Sequence, residues 1–525
     1  MRVLLCLVLT YCFINVNALK VLVYNPYIGA SHPLLIGKLA DQLALAGHDV
    51  TILQQLMMPA KHPGHTNETI KFIQIPYDND YIANRDSTKN CWGKSKHGFF
   101  DTLKLYKKMI EVFAHYCSTQ LNNQTLISHL KSQNFDLGVA ENVECCGFKL
   151  FNDIGLNRTI QVAGTSLALE FSANLGIPSM HSFVPDVFSG EIKTFGHRLK
   201  NLLYTLGVKF MFMGLFDESY GKATDDKDLY DYMYRAAYVL VNSDEFIDFP
   251  RPISHKYINI GGYGMSNLLK QSSELPEKFQ KIYSNANKGV VYMSFGSVAE
   301  SQSMPAELKI TFLEAFKQLP EVEFLWKYEN KHDKVAENYS NVHTFTWMPQ
   351  REILKNSKTL AFITHGGMNS LTEATFTATP MISIPLFSDQ KRNSAMIERK
   401  KMGITLDKIT LTTEILVDAL RKIIYDDQSY QTNAKEISEL IRNRPESPDD
   451  RLLKAVEFAG RFDIHEHLDL PGRKLTLIQF YNIDVLATLA ASVLVLALVI
   501  LLVLALAVKV VLKIVRSFLY KEKVE

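Results

Sequence analysis

Short apolar runs rich in β-forming residues recur along most of the chain and alternate with amphipathic stretches. Helical patterns lie between many of these runs, for example at 31–46, 101–130, 305–319 and 391–402. The apolar runs predict strands at 20–25, 48–53, 71–76, 136–140, 158–163, 238–242, 257–260, 290–295, 323–328, 342–346, 359–364 and 381–385. Alternation of this kind predicts an α/β protein whose parallel sheets are covered by helices on both faces.

A polar, turn-rich stretch at 263–288 divides this pattern in two. One sheet of twelve strands would be unusual, so we expect two sheets. The sequence therefore predicts two doubly wound Rossmann-like domains, at 19–262 and 289–445, that face each other across a cleft. The segment 446–484 is expected to be helical, to cross back onto the N-terminal domain and to lead to a membrane.

Both ends of the chain have the composition of membrane-directed segments. Residues 1–18 combine one basic residue, an apolar run and small residues before position 18, which is the pattern of a cleaved secretory signal. Residues 485–508 carry no charge, and at about 1.5 Å per residue they are long enough to cross a hydrocarbon core of about 30 Å. The tail at 509–525 is basic, which predicts a cytosolic tail and a lumenal body. Two lysines among its last five residues resemble the dilysine signal of single-pass type I proteins of the endoplasmic reticulum.

Composition and charge narrow the function classes. Lys and Arg number 57 against 55 Asp and Glu, so there is no broad basic field for a nucleic acid. A hydrophobic content of 47% excludes a disordered chain. Four glycosylation sequons agree with a lumenal body, at Asn67, Asn123, Asn157 and Asn338.

The cysteines are too few for a disulfide scaffold. Four of the six remain after the predicted signal, within a body of more than 400 residues. Adjacent Cys145 and Cys146 are expected to be packing residues of a helix, and no zinc-ligand spacing is present, so no metal site is predicted.

Polar residues follow four predicted strands of the second half, at the strand ends where such sheets bind ligands. After the strand at 359–364, paired glycines precede a helix, and free N–H groups at a helix start suit a diphosphate. Other side chains there could stack on a planar base or bond hydroxyl groups of a ribose and a hexose. The candidates are Gly296, Ser297, Trp347, Gln350, His365, Gly367, Asn369, Ser370, Glu373, Asp389 and Gln390.

The stretch from Trp347 to Gln390 resembles the donor-binding signature of the UDP-glycosyltransferases. Its segments FITHGGMNSLTEA and PMISIPLFSDQ look like the glucuronosyltransferase branch of that family. The resemblance covers nearly the whole chain and implies a glycosyltransferase-B fold, a UDP-sugar co-substrate, inversion at the anomeric carbon, and no metal or other cofactor. It implies uracil on Trp347, ribose on Gln350 and Glu373, diphosphate on Ser297, His365, Asn369 and Ser370, and the sugar on Asp389 and Gln390.

A metal-free inverting transfer needs a base that takes the proton of an acceptor hydroxyl. Histidine suits this role, and a carboxylate on its other ring nitrogen would fix the tautomer. His32 follows the first strand, at the position where the family carries its base. The family's carboxylate position falls on Glu141, where most relatives have Asp, so the carboxylate here reaches about one carbon further.

The sequence leaves the donor sugar and the acceptor open. Glucuronate is expected to need a basic partner, yet the family's arginine before Asn-Ser appears here as Val241. Lys391 and Arg392 could replace it or could belong to a solvated helix surface, so UDP-glucose competes with UDP-glucuronate. Residues 165–220 are rich in Phe, Met and Leu, which suits a small lipophilic acceptor, a bilayer surface or simple core packing. A dedicated lipid or sterol transferase, or a non-catalytic lipophile-binding membrane protein, is the alternative, and an oligomer is possible.

Overall fold

A computed structural model describes residues 18–29, 31–60, 62–81, 90–93, 99–187, 189–207, 213–224, 226, 229–265 and 274–521. Most of the predicted signal, part of the predicted linker and the last four residues lie outside the described residues. The chain falls into two compact units, Met1–Asp469 and Leu470–Glu525.

Seven parallel strands form the first sheet of the larger unit. They are β1 (Lys20–Tyr24), β2 (Asp49–Gln55), β3 (Lys71–Ile75), β4 (Leu137–Glu141), β5 (Thr159–Ala163), β6 (Tyr238–Val241) and β7 (Tyr257–Asn259). The order across the sheet is β3-β2-β1-β4-β5-β6-β7. The order reverses between β1 and β4, so the connections after these two strands leave a crevice at their carboxyl ends.

The second sheet of the same unit has six parallel strands and the same kind of reversal. They are β8 (Gly289–Ser294), β9 (Val322–Lys327), β10 (Val342–Phe345), β11 (Thr359–Thr364), β12 (Met381–Ser383) and β13 (Gly403–Thr405). Its order is β10-β9-β8-β11-β12-β13, so its crevice opens between β8 and β11.

Helices connect the strands of both sheets. Those around the first sheet are α1 (Ser31–Leu45), α2 (Phe99–Leu121), α3 (Gln124–Ser132), α4 (Cys146–Asp153), α5 (Leu169–Asn174), α6 (Phe195–Gly207), α7 (Met213–Thr224) and α8 (Leu229–Tyr234). The others of this unit are α9 (Glu277–Asn285), α10 (Ala306–Lys317), α11 (Gln350–Lys355), α12 (Met368–Phe376), α13 (Gln390–Arg399), α14 (Thr413–Arg421), α15 (Ser429–Arg442), α16 (Pro448–Arg461) and α17 (His465–Leu468).

The α/β prediction with two doubly wound sheets is confirmed, and all twelve predicted strands are present. The sequence pattern missed β13, which has only three residues and begins at a glycine. The single helix expected at 101–130 is two helices, because the side chain of Asn123 accepts a hydrogen bond from the Leu126 amide and caps a new helix start.

The prediction for Cys146 is wrong, because this residue forms a disulfide with Cys117. The bond joins the C-terminal part of α2 to the first residue of α4. The two cysteines are 29 positions apart and the intervening chain includes β4, so nothing in the local spacing marks them as a pair. Cys145 is a free, buried cysteine, as expected of a packing residue.

The expected return of the chain onto the N-terminal sheet is made by α16. Ser447 and Asp450 form a capping box with Pro448 at the helix start, which fixes where this helix begins. Its buried face, including Leu452 and Val456, belongs to the same core as the residues of β1, β4 and β5.

The smaller unit contains α18 (Leu477–Phe480) and α19 (Ile483–Lys521). The stretch Ile483–Ser517 of α19 has a mean hydropathy of 3.2 in its most apolar window, and it is long and apolar enough to cross a membrane. It includes the predicted span at 485–508.

Candidate active site

The predicted base and its carboxylate meet at the crevice of the first sheet. His32 is the second residue of α1, which follows β1, and Glu141 is the last residue of the adjacent strand β4. Nδ1 of His32 lies 2.9 and 2.8 Å from the two carboxylate oxygens of Glu141. A carboxylate only accepts hydrogen bonds, so Nδ1 carries the proton and Nε2 keeps the lone pair of a base.

The charges around His32 favour its protonated form. Burial acts to lower the pKa of His32, but the charge and hydrogen bond of Glu141 and the charge of Asp389 outweigh it, and the pKa is raised. The His32 side chain is 35% exposed whereas Glu141 is buried, so solvent reaches the imidazole and not its partner. Asp389 belongs to the domain of the second sheet, so charged groups of both domains act on His32.

His365 is packed between two glycines at the crevice of the second sheet. A Cβ on Gly367 would lie 2.5 Å from Nε2 of His365, and a Cβ on Gly296 would lie 2.9 Å from its Cε1. Gly296 also has a φ of +81°, which favours glycine independently. These two predicted site residues therefore hold the imidazole between the loops that follow β8 and β11.

His365 is neutral in this environment. Burial, with a smaller effect from the positive charge of Lys327, lowers its pKa to about 4. Among the described residues its Nδ1 has no hydrogen-bond partner. Gly367 begins the turn into α12, so a phosphate there would meet both an imidazole and free backbone N–H groups.

Lys327 lies at the candidate site, although the sequence-based prediction did not include it. It is the last residue of β9, and its Nζ donates to the Gly296 carbonyl at 2.5 Å, beside the loop that holds His365. The carboxyl-end rule that located the other candidates applies equally to β9, so its position was available as a signal.

The two residues expected to hold a ribose are joined to each other. Nε2 of Gln350 donates to a carboxylate oxygen of Glu373 at 2.7 Å and lies 3.4 Å from the hydroxyl of Ser370. The hydroxyl of Tyr292 donates to the Gln350 carbonyl at 3.2 Å, and Nε of Arg351 pairs with Glu373 at 2.7 Å. This network orients the Gln350 and Glu373 side chains from α11 and α12.

Three further candidates are exposed. Trp347 is 66% exposed, although tryptophan side chains are usually mostly buried. Its indole ring is therefore open to a ligand. Ser297 is exposed, and so is Asn369, whose side-chain oxygen accepts from Nδ2 of Asn242 at 3.4 Å across the two domains.

Asp389 and Gln390 stand where α13 begins, after β12. Asp389 accepts from Asn393 Nδ2 at 2.7 Å, and burial, countered in part by this bond and by His32, raises its pKa. Gln390 is buried, and its side-chain oxygen accepts from the amides of Leu386 and Phe387 at 2.8 and 3.1 Å. Only its amide nitrogen is then available to a sugar.

The structure does not bring Arg392 to the donor candidates. This side chain is almost fully buried and pairs at 2.6 Å with Asp248 of the other domain. It also donates to the Ser166 hydroxyl at 2.5 Å and to the Pro185 carbonyl at 3.2 Å. The suggestion that Arg392 holds a sugar carboxylate is therefore corrected, as is the alternative of a solvated surface, because the guanidinium is buried and faces these partners of the other domain. Lys391 is exposed.

Within the part of the chain that the structure describes, no group of three His, Cys, Asp or Glu side chains could hold a metal ion. The arrangement instead offers a paired histidine base on one side of a cleft. On the other side lie a neutral imidazole, a lysine and a helix start that could receive an anion.

Comparisons with known proteins agree with this geometry. The family described as "UDP-glucoronosyl and UDP-glucosyl transferase" matches residues 19–522. UDP-glucuronosyltransferase 2C1 of Oryctolagus cuniculus is 29% identical over 487 residues, covering 89% of this chain and 95% of that protein. UDP-glucuronosyltransferase 1A3 of Homo sapiens is 28% identical over 486 residues, covering 90% and 88%.

A likeness of fold extends to solved structures. The crystal structure of a UDP-glucose: anthocyanidin 3-O-glucosyltransferase in complex with UDP superposes with a TM-score of 0.57 at 16% identity, over 85% of this chain and 99% of that one. The fold is the two-domain glycosyltransferase-B type. The chain thus belongs to the UDP-glucuronosyl and UDP-glucosyl transferase family, and it is an enzyme that transfers a sugar from a UDP-sugar to an acceptor.

Proposed function

We propose that this enzyme transfers glucuronic acid from UDP-glucuronate to a hydroxyl of a small lipophilic acceptor, with His32 as the base. The contact of His32 Nδ1 with both oxygens of buried Glu141 carries the assignment of the base. The UDP-glucuronosyltransferases among the relatives support glucuronic acid as the sugar. Because Glu141 bonds Nδ1, Nε2 of His32 can accept a proton. The positive charge of the protonated imidazole is then balanced by the buried Glu141 carboxylate.

The step needs no group beyond these residues and the two substrates. The acceptor O–H proton passes to Nε2 of His32 while the acceptor oxygen forms a bond to the anomeric carbon. The bond from that carbon to the diphosphate oxygen breaks, UDP leaves with the electron pair, and the configuration inverts. Glu141 stabilises the imidazolium until its proton returns to solvent.

We assign the residues of the donor-binding half from the family resemblance and from their positions in the structure. The neutral His365, the amides at the start of α12 and Lys327 would bind the diphosphate, with Ser297, Asn369 and Ser370 as further hydrogen-bond donors. Exposed Trp347 would stack on uracil, and the Gln350–Glu373 pair would bond the ribose. Asp389 and the amide nitrogen of Gln390 would bond sugar hydroxyls.

UDP-glucose is the second candidate donor, and a specific observation favours it. Arg392 is committed to Asp248, and Val241 stands where the family's arginine is expected, which leaves exposed Lys391 as the basic residue proposed for a sugar carboxylate. A glucose donor has no carboxylate and would not need one.

We place the catalytic body in the lumen of the endoplasmic reticulum, anchored by α19 as a single-pass type I protein. The Cys117–Cys146 disulfide supports an oxidising compartment. The four sequon asparagines, Asn67, Asn123, Asn157 and Asn338, are all at least partly exposed and lie outside helices and strands, as surface glycosylation sites commonly do. A glucuronide or glucoside is more soluble than its lipophilic parent, so detoxification is the role that suits this chemistry.

The test is a donor panel with full-length enzyme in microsomes. UDP-glucuronate, UDP-glucose and UDP-galactose are each paired with a phenol, an aliphatic alcohol and a sterol, and His32→Ala serves as the matched inactive control. We expect UDP-glucuronate to give the highest kcat/KM with a small phenol or alcohol. Preference for UDP-glucose would refute the sugar assignment, preference for the sterol would indicate a dedicated lipid transferase, and acceptor binding without turnover of any donor would indicate a non-catalytic binder.

A further inference from the structure

The crevice of the first sheet contains a glycine, Gly164, beside which the Glu141 carboxylate fills the space that a side chain would occupy. Gly164 directly follows β5, the strand that pairs with β4. A Cβ built on Gly164 would lie 2.3 Å from Oε1 of Glu141 and 3.5 Å from its Cδ. The first distance is far inside van der Waals contact, so a side chain at 164 and the observed Glu141 carboxylate cannot coexist.

Backbone conformation does not explain this glycine. Its φ lies outside the left-handed region that favours glycine, so an alanine could adopt the same backbone. The other close neighbour is Cδ2 of Leu35 at 3.3 Å, a side-chain terminus that needs to give by only a few tenths of an ångström. The carboxylate of Glu141 is the atom group that excludes a Cβ.

The backbone of Gly164 is also not free to move aside. Its carbonyl accepts a hydrogen bond at 3.0 Å from Nδ2 of Asn242, the residue that follows β6. The same amide group reaches Asn369 of the other domain at 3.4 Å. Any added atom at 164 therefore displaces the mobile end of Glu141 rather than the strand end.

We propose that Gly164 is a positioning residue of the catalytic pair, and that it compensates for Glu141 being one carbon longer than aspartate. The longer carboxylate enters the volume that the Gly164 side chain would have filled, and from there both of its oxygens reach Nδ1 of His32. Glu141 and Gly164 thus act as one unit, and this inference rests on the proposed function because it concerns the same base.

The consequence is a predicted dependence between two substitutions. In the wild-type enzyme, Gly164→Ala pushes the Glu141 carboxylate off His32 and lowers kcat/KM by about 10- to 100-fold, the range expected when a catalytic group is displaced by about 1 Å. In the Glu141→Asp enzyme the carboxylate is withdrawn by about 1.5 Å, one carbon–carbon bond, so it no longer fills the space beside Gly164. There Gly164→Ala changes kcat/KM by less than about threefold.

A pH profile separates positioning from general damage. Glu141 and Asp389 are the charged groups that raise the pKa of His32, and Glu144, which precedes α4, is a buried acid that interacts electrostatically with Glu141. Gly164→Ala leaves Asp389 and Glu144 in place and removes only the close contact with Glu141. The inflection of kcat/KM that reports His32 then moves to lower pH, whereas simple destabilisation would leave it unchanged.

The experiment measures kcat/KM against pH for full-length wild type, Gly164→Ala, Glu141→Asp and the double variant, with folding checked by circular dichroism. Gly221→Ala is the control, since among the described residues no atom outside the adjoining backbone of its own helix lies within 4 Å of a Cβ there, and it should match wild type. His32→Ala tests the proposed function separately: its retained activity would refute the base, whereas an inactive His32→Ala beside a harmless Gly164→Ala would overturn only the present inference.

The remaining outcomes also decide the proposal. Equal effects of Gly164→Ala in the wild-type and Glu141→Asp backgrounds would overturn it, because the two positions would then be independent. If Gly164→Ala fails to fold and the double variant folds, the steric coupling is supported. If both fail to fold, the crowding at 164 comes from elsewhere and the proposal is wrong.

Discussion

The buried ion pair between Arg392 and Asp248 gives the sharpest stability prediction. The guanidinium belongs to the third residue of α13, two positions after Gln390, and the carboxylate belongs to the N-terminal domain, so the pair holds the start of α13 against the other domain. The two side chains are 1% and 7% exposed and lie 2.6 Å apart. The second Asp248 oxygen accepts from the hydroxyls of Ser166 and Ser243 at 2.7 and 2.8 Å.

Asp248→Asn keeps the shape of this side chain and removes its charge. The buried guanidinium then has no anionic partner, and breaking a buried pair in this way costs about 3–5 kcal/mol of unfolding free energy. Burial acts to raise the pKa of Asp248, but Arg392 and the two serines outweigh it and hold the pKa below its ordinary value. The pair therefore contributes its stability at neutral pH, and that contribution is lost as the pH falls below the ordinary aspartate pKa of about 3.9.

The assay is urea denaturation of the full-length enzyme at pH 7, followed by the KM for the UDP-sugar. Asp49→Asn is the matched control, because Asp49 pairs with Lys71 at 2.8 Å on the surface, where such a pair contributes about 0–1 kcal/mol. We expect Asp248→Asn to lower the denaturation midpoint much more than the control and to raise the donor KM. An Asp248→Asn enzyme within about 1 kcal/mol of the control would refute the role assigned to this buried pair.

Three further predictions follow from the site and its support. His365→Ala should weaken UDP binding about tenfold or more, as loss of a hydrogen bond to a charged group predicts, and calorimetry with UDP checks this while circular dichroism confirms the fold; unchanged affinity would contradict the donor assignment. Glu141→Gln removes the charge that raises the pKa of His32, so the rising limb of kcat/KM should move to lower pH and the maximum should fall; an unmoved limb would separate Glu141 from the base. Cys117→Ser with Cys146→Ser should lower the unfolding free energy by about 2–4 kcal/mol without changing the pH profile, and equal stability of the reduced and oxidised wild type would contradict the disulfide's role.

Most of the fold was predictable from the sequence because strands and helices differ in the spacing of their hydrophobic residues, and the two patterns alternate along the chain. The same pattern located the loops of the second sheet, since parallel sheets present the residues after their strands at one edge, whereas His32 and Glu141 were assigned from the family resemblance. The order of the strands explains why distant residues come together, because β1 neighbours β4 and β8 neighbours β11. His32 and Glu141 thereby become hydrogen-bond partners although they are far apart in sequence.

The features that sequence reasoning missed depend on contacts between distant segments. Arg392 lies close to Asp389 and Gln390 in the sequence, but from the first turn of α13 its side chain enters the other domain. No local sequence pattern identifies Asp248 as its partner. Cys146 forms a disulfide with Cys117, which lies 29 positions earlier in the sequence. Its adjacency to the free, buried Cys145 gave no sign of this pairing. The dependence of Glu141 on Gly164 is visible only once the volume between two strand ends is known.

If His32 removes the acceptor proton while a separate set of residues binds the donor, its loss should abolish transfer without weakening the binding of UDP. The most direct measurement compares His32→Ala with wild type for transfer of radiolabelled sugar and for UDP affinity by calorimetry. We expect a loss of transfer of about 10²- to 10⁴-fold, the usual contribution of a general base, with UDP affinity within about twofold of wild type. Undiminished transfer by His32→Ala would contradict the assignment of His32 as the base.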